Sequence, residues 1–230
     1  MAIVKKYQAR IVSIHNEIAG IYTLEFESLV KPFNYAPGQF LHLAMDEDYD
    51  GSGQWPESRC FSMQSNPEEK NIRITYAVKG AFTKVIEEKL KTGSVVWLKL
   101  PYGDLFQQSH NKENTVFIAG GTGLTPFLSL FIHSSFSTYK KPILHAGFRN
   151  LKMNLYEKEL SIAQEINPGF LKRLVYEDND GVLNIKQILE QSKPESTFFI
   201  SGPPSMIIIF KNYLSKNGVN PDTVLTDDWA

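Results

Sequence analysis

The stretch TVFIAGGTGLTPFLSL, Thr115 to Leu130, joins a continuous apolar run to an apolar helix through a glycine-rich turn. Gly121, Gly123 and Pro126 give this turn the pattern G-x-G-x-x-P. Glycines let a backbone turn tightly and approach a bulky anion, and the helix that follows offers free N–H groups to a pyrophosphate. Pro126 suits the first helical turn, where a missing N–H costs nothing. Taken alone, the stretch fits a dinucleotide-binding turn and a plain strand-to-helix turn about equally well.

Strand-like and helix-like segments alternate after this stretch. The predicted strands are residues 115–121, 142–148, 171–177, 197–202 and 223–229. The predicted helices are residues 126–136, 155–166, 184–192 and 205–218. Such alternation predicts a parallel sheet with crossover helices, as in Rossmann-like α/β domains.

The preceding residues follow a different pattern, that of short strands between turns. Residues 71–79, NIRITYAVK, alternate cleanly, with apolar side chains on one face and polar ones on the other. Several such strands at short spacing predict a closed or nearly closed antiparallel β-barrel. One helix interrupts them at residues 82–91, with Thr83 as its candidate N-cap. The pattern changes at a polar run from Gln107, which predicts two domains, residues 1–107 and 108–230.

Composition excludes several classes of function. The chain has 230 residues, with Lys+Arg 24 against Asp+Glu 25, so no net field favours nucleic acid or an anionic membrane. Its single cysteine, Cys60, excludes an internal disulfide and a cysteine-only metal or iron–sulfur cage within this chain. Residues 1–10 contain no apolar leader, and we expect a cytoplasmic protein with no nucleic-acid or membrane partner.

An acidic loop matches the calcium-loop pattern D-x-[DN]-x-[DN]-G-x5-E in every position. The matching residues are Asp46, Asp48, Asp50, Gly51 and Glu57. Calcium loops of this type need a helix on each side, whereas both flanks of this loop have strand patterns. We therefore interpret the match as a coincidence in an acidic hairpin and predict no metal site.

Three further motifs carry residues suited to anionic ligands. FISGPPSM exposes Ser201 at the carboxyl edge of the predicted parallel sheet, where open α/β sheets bind ligands. RCFS places Arg59 and Phe61 on one face of a strand, a combination suited to a planar anion. VKGAFTK brings Gly80 and the Thr83 hydroxyl to a helix N-terminus. Taken alone, FISGPPSM is better explained as a rigid turn before a helix, and RCFS as a rim Arg over a core Phe. Ordinary helix capping is the alternative for VKGAFTK.

The four motifs occur in the order R-x-F-S, G-x-F-T, G-G-T-G-L-T-P and S-G-P-P-S-M, and this combination resembles the ferredoxin–NADP reductase superfamily. YAPGQFLHL and LPYGDLF also look like landmarks of that family. The resemblance covers nearly the whole chain. It implies an N-terminal barrel that holds FAD and a C-terminal domain that binds a nicotinamide dinucleotide.

The resemblance also assigns roles to individual residues. Arg59 holds the flavin phosphates, Phe61 packs on the isoalloxazine or ribityl group, and Ser62 hydrogen-bonds near flavin N5. The residues it assigns to FAD are Arg59, Cys60, Phe61, Ser62, Tyr76, Ala77, Val78, Gly80, Phe82 and Thr83. Those it assigns to the nicotinamide cofactor are Gly121, Thr122, Gly123, Thr125, Pro126, Ser201, Gly202 and Pro203.

Ser62, Ser201 and Trp229 form the implied catalytic set, with Ser201 beside the nicotinamide and Trp229 over the flavin face. Two members of the implied site depart from the family. Phe61 replaces a common tyrosine, and Ser201 replaces a common cysteine.

The choice between NADH and NADPH depends on charges after the second and third predicted strands of the sheet. Glu177, Asp178 and Asp180 would repel the 2′-phosphate of NADPH, whereas Arg149 could contact the adenosine side or that phosphate. The acidic residues favour NADH.

Together these features predict an FAD-dependent NAD(P)H oxidoreductase that passes electrons to a separate acceptor, either a ferredoxin-like redox protein or free flavin. A free-flavin reductase that uses flavin as substrate is one alternative. A non-catalytic flavin- or dinucleotide-binding regulatory module is another.

Overall fold

The computed structural model describes residues 3–46 and 48–227, and the chain divides between Asp104 and Leu105 into two compact units. The first unit contains an antiparallel sheet and the second a parallel α/β sheet, so the predicted two-domain fold is confirmed. The sequence placed the boundary at Gln107, within the second unit.

The described residues of the first unit form six strands and one helix. They are β1 Lys5–Ile18, β2 Ile21–Ser28, β3 Phe40–Ala44, β4 Ser58–Ser62, β5 Ile72–Ala77, α1 Ala81–Lys89 and β6 Val95–Tyr102. The strand order is β4-β3-β6-β1-β2-β5. Just after β4, the Gln64 N–H donates to the Arg73 carbonyl of β5 at 2.9 Å. The two edge strands therefore meet, and the sheet curls into a nearly closed barrel.

The core of this barrel follows from strand alternation. Ile72, Ile74 and Tyr76 of β5 are buried, as the alternation of that segment predicts. Ile11 of β1 and Leu98 of β6 are fully buried in the same cluster. The opposite faces of these strands carry polar residues and partly buried rings.

The second unit is a five-stranded parallel sheet in the order β11-β10-β7-β8-β9. Its strands are β7 Thr115–Gly120, β8 Ile143–Phe148, β9 Leu171–Tyr176, β10 Thr197–Ser201 and β11 Val224–Thr226. Its helices are α2 Thr125–Phe131, α3 Glu157–Ile166, α4 Glu177–Asp180, α5 Ile185–Glu190 and α6 Pro204–Lys216. The crossovers carry every strand in the same direction, so the carboxyl ends of all five lie at one edge.

The central strands of this sheet are apolar throughout because both of their faces are covered. Phe117 and Phe199 lie in one core cluster with residues of α2 and α3. Ile118 and Ile200 lie in a second cluster with residues of α5 and α6. Buried parallel strands have this continuous apolar character.

Two predicted elements differ in detail from the structure. Gly80 is the N-cap of α1, so the prediction of Thr83 at that position is wrong. The Thr83 hydroxyl instead accepts the N–H groups of Lys79 and Gly80, at 3.0 and 3.1 Å, from the first turn. The helix after β7 ends at Phe131, because the His133 ring accepts the Ser135 N–H and starts a separate 3₁₀ turn.

The acidic loop lies between strands β3 and β4, as predicted. The Tyr49 ring packs edge-on against Trp97 of β6, with 5.3 Å between ring centroids, and holds the loop against the sheet. Asp50 accepts hydrogen bonds from Ser52, which keeps this carboxylate within the turn. No three His, Cys, Asp or Glu side chains are grouped as metal ligands in residues 3–46 and 48–227. Over the same described ranges, no helix has the length and apolarity needed to cross a bilayer.

Candidate functional site

Arg59 and Phe82 bring two of the predicted motifs together in the first unit. The Arg59 guanidinium lies over the Phe82 ring, 5.1 Å from its centroid, so R-x-F-S meets G-x-F-T. Phe82 belongs to the first turn of α1, whose N-cap, Gly80, has no side chain to occupy the free N–H groups. A Cβ placed on Gly80 would meet no atom within 4 Å. A cation and an open helix N-terminus thus lie side by side, which suits a phosphate.

Glu57 is a neighbour of Arg59 that the sequence motif does not include. Its carboxylate pairs with the Arg59 guanidinium at 2.9 Å, and both side chains are mostly exposed. An exposed pair of this kind is weak and easily exchanged for another anion. The sequence contained one sign of this ion pair: Glu57 lies two residues before Arg59, directly ahead of the strand that contains Arg59.

Phe61 and Tyr76 form the ring surface next to this cation. Their centroids are 5.9 Å apart in an edge-to-face arrangement, and Tyr76 stacks in turn on Tyr22 at 5.6 Å. Burial raises the pKa of Tyr76, so its hydroxyl stays neutral. Ala77 pairs with Ile21 at the end of β5. The next residue, Val78, extends this pairing, because its N–H donates to the Gly20 carbonyl at 2.8 Å.

Cys60 and Ser62 occupy the other side of β4. The Cys60 sulfur lies 3.5 Å from His42 Nε2, so its side chain contacts the imidazole of β3 and not the Phe61 ring. Burial lowers the pKa of His42, with a smaller contribution from the charge of Lys99. Ser62 ends the strand and is partly exposed.

The second unit brings the two glycine-containing turns into backbone contact. A Cβ placed on Gly123 would lie 2.5 Å from Gly202 Cα and 2.7 Å from the Ser201 carbonyl oxygen. Gly202 itself has a φ of 150° and passes close to the Gly120 backbone. Only glycine permits this approach, so the turns after β7 and β10 form one continuous surface at the carboxyl edge of the sheet.

The remaining residues of the first turn leave space on its outer side. Gly121 has a φ of 55°, and a Cβ there would meet no atom within 4 Å. The Thr125 hydroxyl donates to the Thr122 carbonyl at 2.9 Å, and the buried Pro126 lies in the first turn of α2. Pro203 contacts Gly120 from the neighbouring turn. An open glycine turn between fixed walls is the shape that a pyrophosphate needs.

Ser201 has a partner that the sequence motifs did not reveal. The prediction that this side chain is exposed is wrong: Ser201 is buried, and its hydroxyl donates to Asp227 Oδ2 at 3.3 Å. Asp227 is itself buried, and its N–H donates to the Ile200 carbonyl at 3.1 Å. The residues are far apart in sequence, and only the parallel pairing of β10 with β11 brings them together.

Arg149 and the acidic turn lie next to each other at the same edge. The Asp178 N–H donates to the Arg149 carbonyl at 3.2 Å, while the Arg149 side chain is exposed. Asp180, the last residue of the short helix α4, accepts the Tyr176 N–H at 3.0 Å, so this carboxylate folds back toward the start of the helix. Glu177 and Asp178 keep exposed side chains.

Comparisons with known proteins agree with this arrangement. The family model of the oxidoreductase NAD-binding domain matches residues 117–212. Methane monooxygenase component C of Methylosinus trichosporium is 30% identical over 151 residues, which are 64% of this chain and 42% of that protein. The chain carries an oxidoreductase NAD-binding domain.

Two further proteins extend the comparison. A subunit of the Na(+)-translocating NADH-quinone reductase of Klebsiella pneumoniae subsp. pneumoniae is 30% identical over 207 residues, 76% of this chain and 49% of that protein. A ferredoxin NADP+ reductase from Neisseria gonorrhoeae, crystallised with FAD and NADP, superimposes with a TM-score of 0.78 at 18% identity. That superposition covers 97% of this chain and 98% of the other. The chain spans about half the length of the curated relatives that it matches.

The residues present fit FAD and a nicotinamide dinucleotide, the two cofactors that the resemblance of the motifs implies. For FAD, the fit rests on the Arg59 cation beside the open, glycine-capped N-terminus of α1. For the nicotinamide dinucleotide, it rests on the Gly123–Gly202 contact, which a side chain would fill. Trp229, the predicted cover of the flavin face, lies outside the described residues.

Proposed function

We propose that the chain is an FAD-dependent NAD(P)H oxidoreductase that delivers electrons to a separate redox partner. One observation carries the proposal: each unit brings together, within itself, the two motifs that the superfamily uses for one dinucleotide. Arg59 meets Phe82 in the first unit, and Gly123 meets Gly202 in the second. Fold alone would not support a function, whereas paired sites of the right chemistry do.

The protein's own residues bind and orient the reactants in this proposal. Arg59 and the first turn of α1 hold the FAD pyrophosphate, and Phe61 packs on the ring system beside Ser62. Gly121 to Pro126 hold the pyrophosphate of the nicotinamide cofactor, and Ser201 to Pro203 flank its nicotinamide. Bound FAD supplies the chemistry, since it accepts a hydride and releases electrons singly or in pairs.

The electron acceptor in this proposal is a separate protein. A cluster held by four cysteines cannot form within a chain that has one cysteine. One relative is named as component C of methane monooxygenase. A ferredoxin-like or oxygenase partner is therefore the acceptor we favour, with free flavin as the alternative.

The visible spectrum of the purified protein, before and after anaerobic mixing with NADH, tests the function. We expect a bound-flavin spectrum that NADH bleaches in stoichiometric amounts. A colourless protein that reduces added flavin would be a free-flavin reductase. A protein that holds flavin but is not bleached by NADH or NADPH would be a regulatory module, and the proposal would be refuted.

We further propose that NADH is the preferred donor. Glu177 and Asp178 keep exposed carboxylates beside Arg149, where they would repel a 2′-phosphate. A relative of this chain is named as part of an NADH-quinone reductase, which is consistent with this choice. Steady-state kinetics should give a higher kcat/KM for NADH than for NADPH. Replacing Glu177→Gln and Asp178→Asn together should raise kcat/KM for NADPH about tenfold relative to NADH.

A matched control for this test is Glu190→Gln, which removes an exposed carboxylate at the end of α5. It should leave the ratio of the two kcat/KM values unchanged. If wild-type protein prefers NADPH, or if the double variant leaves the ratio where it was, the acidic turn does not select the cofactor.

A further inference from the structure

Gln64 is a buried side chain whose amide oxygen lacks a hydrogen-bond partner. The residue is 4% exposed, and Oε1 has no donor within reach among residues 3–46 and 48–227. Buried amide oxygens are nearly always satisfied by protein, water or a bound ligand, since an unmet one is unfavourable. Gln64 follows Ser62, a residue of the proposed flavin site, by two positions in the sequence.

Three donors of this part of the chain already have acceptors. The Gln64 N–H donates to the Arg73 carbonyl at 2.9 Å, and the Met63 N–H donates to the Gln39 carbonyl at 3.1 Å. The Gln39 side-chain amide donates to the Gly103 carbonyl at 2.8 Å. Local rearrangement would break one of these bonds to make another. A donor from outside the chain would satisfy Oε1 without breaking any of them.

The backbone places Gln64 on the same side of its segment as Ser62. The bonds of Met63 and Gln64 continue the extended pairing beyond the end of β4, so side chains keep alternating. Met63 is fully buried in the barrel core, which directs Ser62 and Gln64 to the opposite side. Two residues of extended chain separate side chains by roughly 7 Å.

Flavin chemistry matches a primary amide at this place. The oxidised isoalloxazine has one ring N–H donor, N3–H, which lies between two carbonyl oxygens on the pyrimidine edge. That edge is adjacent to N5, the atom next to which Ser62 is placed. A primary amide offers one acceptor and two donors, the complement of this edge.

We propose that the Gln64 side chain binds the pyrimidine edge of FAD, with Oε1 accepting the N3–H and Nε2 donating to a neighbouring flavin carbonyl. This proposal rests on the proposed function, because it needs FAD in the first unit. It makes Gln64 a flavin-positioning and flavin-selecting residue, which none of the four motifs includes.

Binding of FAD and N3-methyl-FAD to the apoprotein, measured by titration, tests the proposal directly. Wild-type protein should bind FAD about tenfold or more tightly than N3-methyl-FAD. Gln64→Met, which keeps the size and removes the acceptor, should weaken FAD binding about tenfold and abolish the preference between the two flavins. The matched control, Gln54→Met at an exposed glutamine of the same unit, should change neither value.

The outcomes separate this proposal from the proposed function. A preference for FAD that survives in the Gln64→Met variant would show that N3–H meets another acceptor and would overturn the proposal. The proposal is also overturned if wild-type protein binds both flavins equally while NADH still bleaches bound FAD. A wild-type protein that binds no FAD would instead refute the proposed function.

A second variant covers the case in which Gln64→Met does not fold. Gln64→Glu keeps the shape and places a carboxylate at the pyrimidine edge, where negative charge develops on reduction. Its flavin midpoint potential should be more negative than that of wild type, whereas Gln54→Glu should leave the potential unchanged. An unchanged potential in Gln64→Glu would contradict the proposal.

Discussion

Arg59 is a partly exposed side chain whose position is nevertheless fixed by its neighbours. Its guanidinium is fixed by the Phe82 ring on one side and by Glu57 on the other, while about half of the side chain, 53%, remains exposed. The ring contact limits where the cation can go, and the ion pair is weak enough to be exchanged for phosphate. The site is therefore preorganised for a ligand that brings its own negative charge.

Replacing Arg59→Ala should raise the dissociation constant of FAD by about 10- to 100-fold, because charge-assisted hydrogen bonds to the phosphates are lost. Titration of the apoprotein with FAD measures this. Arg10→Ala is the matched control, since Arg10 also lies in the first unit and pairs with Glu27 at 3.1 Å. Equal effects of the two substitutions would show that Arg59 acts only through overall charge.

Gly123 is the residue on which the surface formed by the two turns depends. In a Gly123→Ala variant the new Cβ would lie 2.5 Å from Gly202 Cα, so one turn has to move. We expect NAD⁺ and NADH to bind at least tenfold more weakly, with FAD binding unchanged. Gly53→Ala is the control, because Gly53 also has a positive φ, 65°, but open space around its Cβ. Undiminished NADH binding in Gly123→Ala would exclude this turn from the dinucleotide site.

For helices and strands, the periodicity of apolar residues and the positions of turn residues predicted most of the architecture. The alternation in residues 71–79 predicted β5, and the apolar run before Gly121 predicted β7, because both patterns reflect burial directly. The end of α2 at Phe131 depends on a side-chain bond of His133, which periodicity does not contain. Asp227 joins Ser201 only through the pairing of β11 with β10, a long-range contact that no local pattern encodes.

His145 on β8 makes the second unit sensitive to acid. Burial, with a smaller contribution from the charge of Arg173, lowers the pKa of His145 from 6.5 to about 4. The unfolded chain therefore takes up a proton first, so stability is present above pH 6.5 and is lost as the pH falls toward 4. The loss attributable to this residue should be roughly 1–3 kcal/mol.

Urea unfolding of wild type and His145→Gln at pH 7 and pH 4 tests this. The difference in unfolding free energy between the two proteins should shift in favour of the variant at pH 4, since glutamine does not titrate. Carboxylates contribute equally to both proteins and cancel. His15→Gln, at an exposed histidine of the first unit, should show no such shift. If the difference in unfolding free energy were the same at both pH values, the folded protein would protonate His145 as readily as the unfolded chain does, and burial would not lower its pKa.

For the whole molecule, the division at Asp104 and Leu105 gives each unit its own apolar core. Units with separate cores need not unfold in one step. Each proposed dinucleotide site lies within one unit, so each ligand should stabilise mainly the unit that holds it. Ligand binding to the folded form raises stability by mass action, by about 2.7 kcal/mol at a hundredfold excess over the dissociation constant.

Scanning calorimetry should therefore show more than one transition, with FAD raising the midpoint of one by several degrees and NAD⁺ raising another. The Arg59→Ala variant should lose the FAD-induced shift and keep the NAD⁺-induced one. A single transition that both ligands raise together would show that the two units unfold as one.

The backbone contact between Gly123 and Gly202 also limits how this protein can be re-engineered. A side chain at either glycine would force the backbone of the other turn to move. The two turns therefore have to be treated as one structural unit, although they are far apart in sequence. Grafting a foreign cofactor loop after β7 would succeed only if the turn after β10 were transplanted with it. Libraries that randomise one turn alone would mostly sample broken sites.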